Sequence, residues 1–164
     1  MIGTVQMVVT RELRAIKREV EAYPDEASLW REIPGTPNSG GTLALHIAGN
    51  IQHFFGAILG RSGYKRDRDS EFAKRNVPRA ELLAGLDAAI AAVERTVAGM
   101  SEAQLATPYP ELIAKRTVAT RDFVMHLAVH LAYHLGQMDY HRRAVSGNAQ
   151  GVDAVSVREL PEVS

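Results

Sequence analysis

Apolar residues recur at helical spacing in four stretches of this chain, and no strand pattern of comparable strength competes with them. In residues 4–23, Val5, Val8, Val9, Leu13, Ile16 and Val20 share one face, Glu12, Arg14, Lys17 and Arg18 fill the other, and Pro24 ends the run. The second stretch, residues 39–59, is more apolar, and Gly60 and Gly63 bracket its end. The third begins at Pro78, which suits a first helical turn, and continues through Leu82, Leu83, Leu86, Ile90, Val93 and Val97 to Gly99. The fourth, residues 120–147, opens with Thr120 as a candidate N-cap and Arg121 and Asp122 in its first turn.

The connections add to this picture. Residues 25–38 are rich in Pro and Gly, and Trp30 with Leu29 and Ile33 reads as a lid on one end of the helices. Residues 61–77 are polar, and both connections exceed the usual length in a bundle. The latter can travel the length of the bundle, which would make the second and third helices parallel. Residues 101–105 allow a short helical turn, and residues 107–119, with Pro108 and Pro110, carry a weak β-hairpin signal. The expectation is an all-α domain over residues 1–147, followed by a polar tail, 148–164.

Composition narrows the function. Lys+Arg and Asp+Glu number 19 each, so the basic excess of a nucleic-acid binder is missing. There is no cysteine, which excludes disulfides, thiolate metal sites and a cysteine nucleophile. The first ten residues lack the features of a signal peptide, and no apolar run is long enough to cross a bilayer, so a cytoplasmic location is expected.

The chemistry lies in six histidines: His46, His53, His126, His130, His134 and His141. On the fourth helix, His126, His130, His134, Gln137 and His141 form a polar stripe on a segment otherwise apolar almost all round, the pattern of a buried helix. Buried imidazoles are costly without partners, and a metal satisfies several at once. Histidines four apart lie one turn above each other and can share an ion, whereas His126 and His134 stand ~12 Å apart along the axis. The pair is therefore 126/130 or 130/134. The second helix places His46, Asn50 and His53 on one face, and either histidine can supply a third ligand. Three imidazoles with an open position describe a reactive site, suited to Zn, Ni, Fe or Cu and poorly to Mg or Ca. A single buried histidine, by contrast, is usually a hydrogen-bonded core residue, and that reading applies to His53, His126 and His141 taken one at a time. Leu131 follows His130 where a zinc protease of the HExxH type needs Glu, which excludes that class.

GTLALHIAGNIQHFF (residues 41–55) and HLAVHLAYHLGQ (residues 126–137) resemble the two signature helices of the DinB/YfiT-like superfamily, and RDRDSEF (residues 66–72) resembles a loop of one of its branches. The resemblance spans about residues 5–146. It implies an up-down-down-up four-helix bundle and one divalent transition metal, with Zn or Ni foremost, on His46, His130 and His134. His53 and His126 then become pocket-lining candidates, and Asn50, Gln137 and Asp139 become candidate partners of the ligands. The family often has a basic residue where Leu135 stands, which would alter the surroundings of the pocket. The charged run at 66–72 reads first as a solvated face, with closure over the metal pocket as the alternative. The resemblance also implies a transferase that uses a low-molecular-weight thiol on a small-molecule substrate. A metal hydrolase and a non-catalytic stress-related binding or scaffold protein are the competing functions, and the scarcity of acids near the motifs disfavours the hydrolase. A homodimer is expected from family habit and the apolar excess of the helices.

Overall fold

The structure, a computed structural model, describes residues 1–160; residues 161–164 of the expected tail lie outside the described part. Its regular elements are α1 (Ile2–Ala22), α2 (Glu26–Leu29), α3 (Gly40–Ile51), α4 (Arg68–Ala73), α5 (Arg79–Ala98) and α6 (Thr120–Ser146). Short 3₁₀ turns occupy Glu102–Ala106 and Val157–Glu159. Among the described residues there is no β-strand. α1 and α3 each pack against both α5 and α6, which makes a bundle of four long helices.

The apolar face read on α1 is the face that packs: Val5, Val9, Leu13, Ile16 and Val20 are buried, as are Leu82, Leu86 and Val93 of α5 facing them. α3 starts where Ser39 accepts the Thr42 N–H at 3.3 Å, satisfying an end group that the helix itself cannot. It continues without a break into a π-helical stretch, Gln52–Leu59. There the Gly60 N–H reaches back to the Phe55 carbonyl at 2.8 Å, and the Thr96 hydroxyl on α5 donates to the same oxygen at 3.0 Å. The cross-helix donor gives that carbonyl a second partner, and such widening is frequent near functional sites. α5 begins one residue later than expected, with Pro78 preceding its first turn.

Trp30 forms the expected lid. Its indole N–H donates to the Val77 carbonyl at 3.3 Å, and its ring lies on Gly41, where a Cβ would come within 2.6 Å of it. Only glycine at the start of α3 lets the ring seat this closely.

Two expectations for the fourth helix are corrected. Thr120 is the first helical residue rather than the N-cap; its N–H donates to the Thr107 carbonyl at 2.9 Å, so the preceding loop supplies the acceptor that a capping side chain would have provided. That loop folds back on itself through two isolated antiparallel bridges, Pro108–Ala119 and Ile113–Arg116, turning at Ala114 and Lys115 with positive φ. Nor is α6 buried all round: Met125, Val129, Tyr133 and Tyr140 are exposed. The described part of the tail is tied down by arginines, with Arg18 donating to the Val152 and Asp153 carbonyls and Arg142 to that of Gln150.

Candidate metal centre

The bundle brings one histidine of α3 against two of α6. A ring nitrogen from each of His46, His130 and His134 lies within 4.8 Å of the other two. The Nε2 atoms of His130 and His134 are 3.0 Å apart, and the His46 ring stands edge-on to both. Around a tetrahedral ion with Zn–N bonds of about 2.0–2.1 Å, neighbouring nitrogens are about 3.4 Å apart. Small side-chain movements separate the two arrangements.

The partners on the far side of two rings fix which nitrogen is free. Gln137 Oε1 lies 2.7 Å from His134 Nδ1, and Glu71 Oε2 lies 3.1 Å from His46 Nδ1. Both oxygens can only accept, so each Nδ1 carries a proton, and in the neutral ring that a metal requires Nε2 is the nitrogen with the lone pair. Second partners of this kind are the normal support of metal-bound histidines. Burial, then the neighbouring His134, His46 and His126 and the Arg66 charge, pushes His130 down to about 4. Burial also lowers His134, with the Gln137 hydrogen bond opposing and His46 adding to the shift. Both imidazoles are thus neutral at physiological pH, the form a metal requires. The donor set fits one divalent transition metal.

Glu71 is the residue that sequence reasoning missed. The run at 66–72 is not simply a solvated face: Asp67 caps α4 by accepting the Ser70 N–H at 3.0 Å, and the short helix turns Glu71 and Phe72 inward onto α3. Arg66 grips Glu71 through two hydrogen bonds, 2.7 Å from Nε and 2.8 Å from Nη2. Burial would raise the Glu71 pKa, but the hydrogen bonds and charges of Arg66 and His46 outweigh it and hold the carboxyl below its usual range. Arg66 Nη2 also lies 3.4 Å from His46 Nδ1, a contact rather than a hydrogen bond once that nitrogen carries the proton. The carboxylate fits because Gly49 leaves a notch: a Cβ there would lie 2.1 Å from Glu71 Oε1. A glycine one turn after His46 in an otherwise apolar helix was the available signal.

The remaining candidates stand apart. His53, on the π-helical stretch, faces Glu111 at 3.5 Å. His126 is exposed and stacks loosely between Phe123 and His130. His141 is a core histidine, with Nδ1 2.7 Å from the Tyr23 hydroxyl and Nε2 2.9 Å from the Arg31 carbonyl. Asp139 pairs with Arg142 and Arg143 rather than with a ligand histidine. Leu135 is buried in the core. Asn50 is buried one turn from His46, and its Oδ1 has no partner among the described residues.

Replacing Glu71 by Ala should lower metal affinity about 10- to 100-fold, the usual cost of losing such a partner. Gly49→Ala should act in the same direction by displacing the carboxylate. Competition titration against a chromophoric chelator measures both, and unchanged affinity in both variants would remove Glu71 from the site.

A helical bundle in which three imidazoles from two helices converge has the donor set of a three-histidine metal site. The chain belongs to the DinB superfamily, which it matches over residues 9–138. No curated protein and no solved structure gives a match. Among the described residues, no helix is long and apolar enough to cross a membrane.

Proposed function

We propose that this protein is a metal-dependent thiol S-transferase, in which His46, His130 and His134 hold one divalent transition metal and a low-molecular-weight thiol is the nucleophile. Zn or Ni is the preferred ion on three imidazoles, with Fe or Cu as alternatives. When bound, such an ion supplies positive charge that none of its ligands offsets, and this favours the thiolate over the thiol, whose ordinary pKa is about 8.5.

The observation that carries the reading is the chemistry left over around the imidazoles. The carboxylate in contact with one of them, Glu71 on His46, is also held by Arg66, and the chain has no cysteine. A site whose carboxylate is engaged and that lacks a cysteine nucleophile suits a reaction in which the nucleophile arrives from outside and has its pKa lowered by the metal. Glu71 and Gln137 orient their histidines. A hydrolase would require a base near the water, usually Glu, Asp or a free His; Glu71 is engaged, which leaves His126, stacked on His130, as the group that reading would need. A non-catalytic binding or scaffold protein remains the reading if no activity follows metal loading.

The test mixes a panel of electrophiles with bacillithiol, mycothiol or glutathione and compares metal-loaded protein with His130→Ala. Thiol consumption should be at least tenfold faster with the unaltered protein. Equal rates would overturn the transferase, and ester or amide hydrolysis without thiol would favour the hydrolase.

The same reading includes a cytoplasmic protein with an up-down-down-up bundle in which the 61–77 connection makes α3 and α5 parallel, and a homodimer. Met125, Val129 and Tyr133 form an exposed apolar face on α6, the kind of patch that marks association. Light scattering at micromolar concentration should give twice the chain mass; a mass near 17.9 kDa would reject the dimer.

A further inference from the structure

A cavity of about 410 Å³ lies beside the metal centre, between the 33–38 connection, the start of α3 and the last turns of α6. That volume is within the range of small-molecule sites, about 300–1,000 Å³. Its walls are largely apolar, with Ile33, Pro37, Leu43 and Ala144, and the polar side chains Thr36, Asn38 and Tyr140 that join them are uncharged. No Asp, Glu, Lys or Arg lines it, and the His141 ring at its edge has both nitrogens committed to Tyr23 and Arg31. A charged group entering here would lose water and find no countercharge, which costs far more than an apolar group gains.

One residue belongs to both places. Gln137 lines the cavity and also accepts from His134 Nδ1 through its Oε1. Its amide nitrogen makes no hydrogen bond among the described residues. With the oxygen turned to His134, the two N–H donors are the part of the side chain left for a ligand. The cavity is reached from the imidazoles within one turn of each helix, since Leu43 precedes His46 by three residues and Gln137 follows His134 by three.

We infer that this cavity binds the acceptor substrate: an uncharged, largely apolar organic group carrying one hydrogen-bond acceptor, such as a carbonyl oxygen, which takes an N–H of Gln137. Binding in the cavity stands on the lining residues alone, while its role as the acceptor site rests on the transferase reading above. The polar body of a low-molecular-weight thiol matches the cavity poorly, so thiol and acceptor approach the histidines from different sides. Gln137 couples the two sites, because the side chain that holds the proton of His134 also receives the acceptor.

Ligand-observed NMR titration tests this with 2-acetonaphthone, 2-ethylnaphthalene and 2-naphthoate, which share a ring system and differ in acceptor and charge. The ketone should bind at least tenfold more tightly than the carboxylate and several-fold more tightly than the hydrocarbon. Ala144→Trp places bulk in the cavity from an exposed position on α6 and should weaken the ketone at least tenfold while leaving metal content unchanged. Gln137→Leu should erase the difference between ketone and hydrocarbon. Equal binding of ketone and carboxylate, or full ketone affinity in Ala144→Trp, would overturn the inference. Running the titrations on metal-free and metal-loaded protein separates the two readings: ketone binding that persists in a protein unable to take up metal would sustain the cavity and sink the transferase.

Discussion

Replacing His46, His130 and His134 together by alanine should reduce bound divalent metal from about one ion per chain to background, measured by elemental analysis after metal loading and desalting. Each histidine supplies one ring nitrogen, and among the described residues no other histidine or carboxylate joins the group, so affinity should collapse rather than decline. The single variants should rank by geometry. His130→Ala removes the nitrogen that stands 3.0 Å from that of His134 and should lose most of the metal. His126→Ala alters an exposed ring and should retain nearly all of it. Circular dichroism keeps the result interpretable, because helix content should persist in each variant, the imidazoles contributing little to the apolar core. Full metal content in the triple variant would remove these residues as the site. A greater loss in His126→Ala than in His130→Ala would move the pair up one turn.

The sequence carried the helices well because their signal is local. The apolar face of α1 repeats within twenty residues and needs no knowledge of its neighbours. The histidine stripe was legible for the same reason, but its full length was misleading. At 3.6 residues per turn, positions four apart rotate by about 40°. Over the eight residues from His126 to His134 the stripe therefore drifts by about 80°, enough to leave His126 on the solvent side when His130 and His134 face α3. Glu71 was hidden for another reason. A run of charges is a solvated face unless opposite charges neutralise one another, and here Arg66 neutralises Glu71 at a distance set by the fold of α4. The glycine notch at Gly49 and the hydrogen bond to His46 each join Glu71 to a residue more than 20 positions away, and only the Arg66 pairing is local. No periodicity reports such a contact. The exposed apolar residues of α6 were misread because hydrophobicity alone cannot tell a face that meets the core from one that stays exposed.

Arg142→Met should destabilise the fold by about 3–5 kcal/mol near pH 8, the range for breaking a buried ion pair from one side. Arg142 and Glu19 are almost fully buried, 1% and 0% exposed at the side chain, and they join α6 to α1. Arg142 also donates to Asp139 and to the Gln150 carbonyl, so it ties down the start of the tail as well. Glu19 is already short of partners, since its Oε1 accepts no hydrogen bond among the described residues. Burial raises its pKa to about 6, with the hydrogen bond and charge of Arg142 pulling the other way. Without the guanidinium the carboxyl should rise further and stay protonated in the folded protein to higher pH. A folded-state pKa above the unfolded one means the folded form takes up the proton first, so stability is gained as pH falls through the folded value and is complete below the unfolded one. The deficit of Arg142→Met should therefore be greatest at pH 8 and should shrink toward pH 5. The double variant Glu19→Leu/Arg142→Met removes both charges and should recover most of the loss, because well-packed apolar replacements of a buried pair are often neutral or stabilising. Urea denaturation at pH 8 and pH 5, compared among the three proteins, measures all of this. A single variant as stable as the unaltered protein at pH 8 would show that the pair contributes nothing, and a double variant no better than the single would place the loss in packing rather than in the stranded carboxylate.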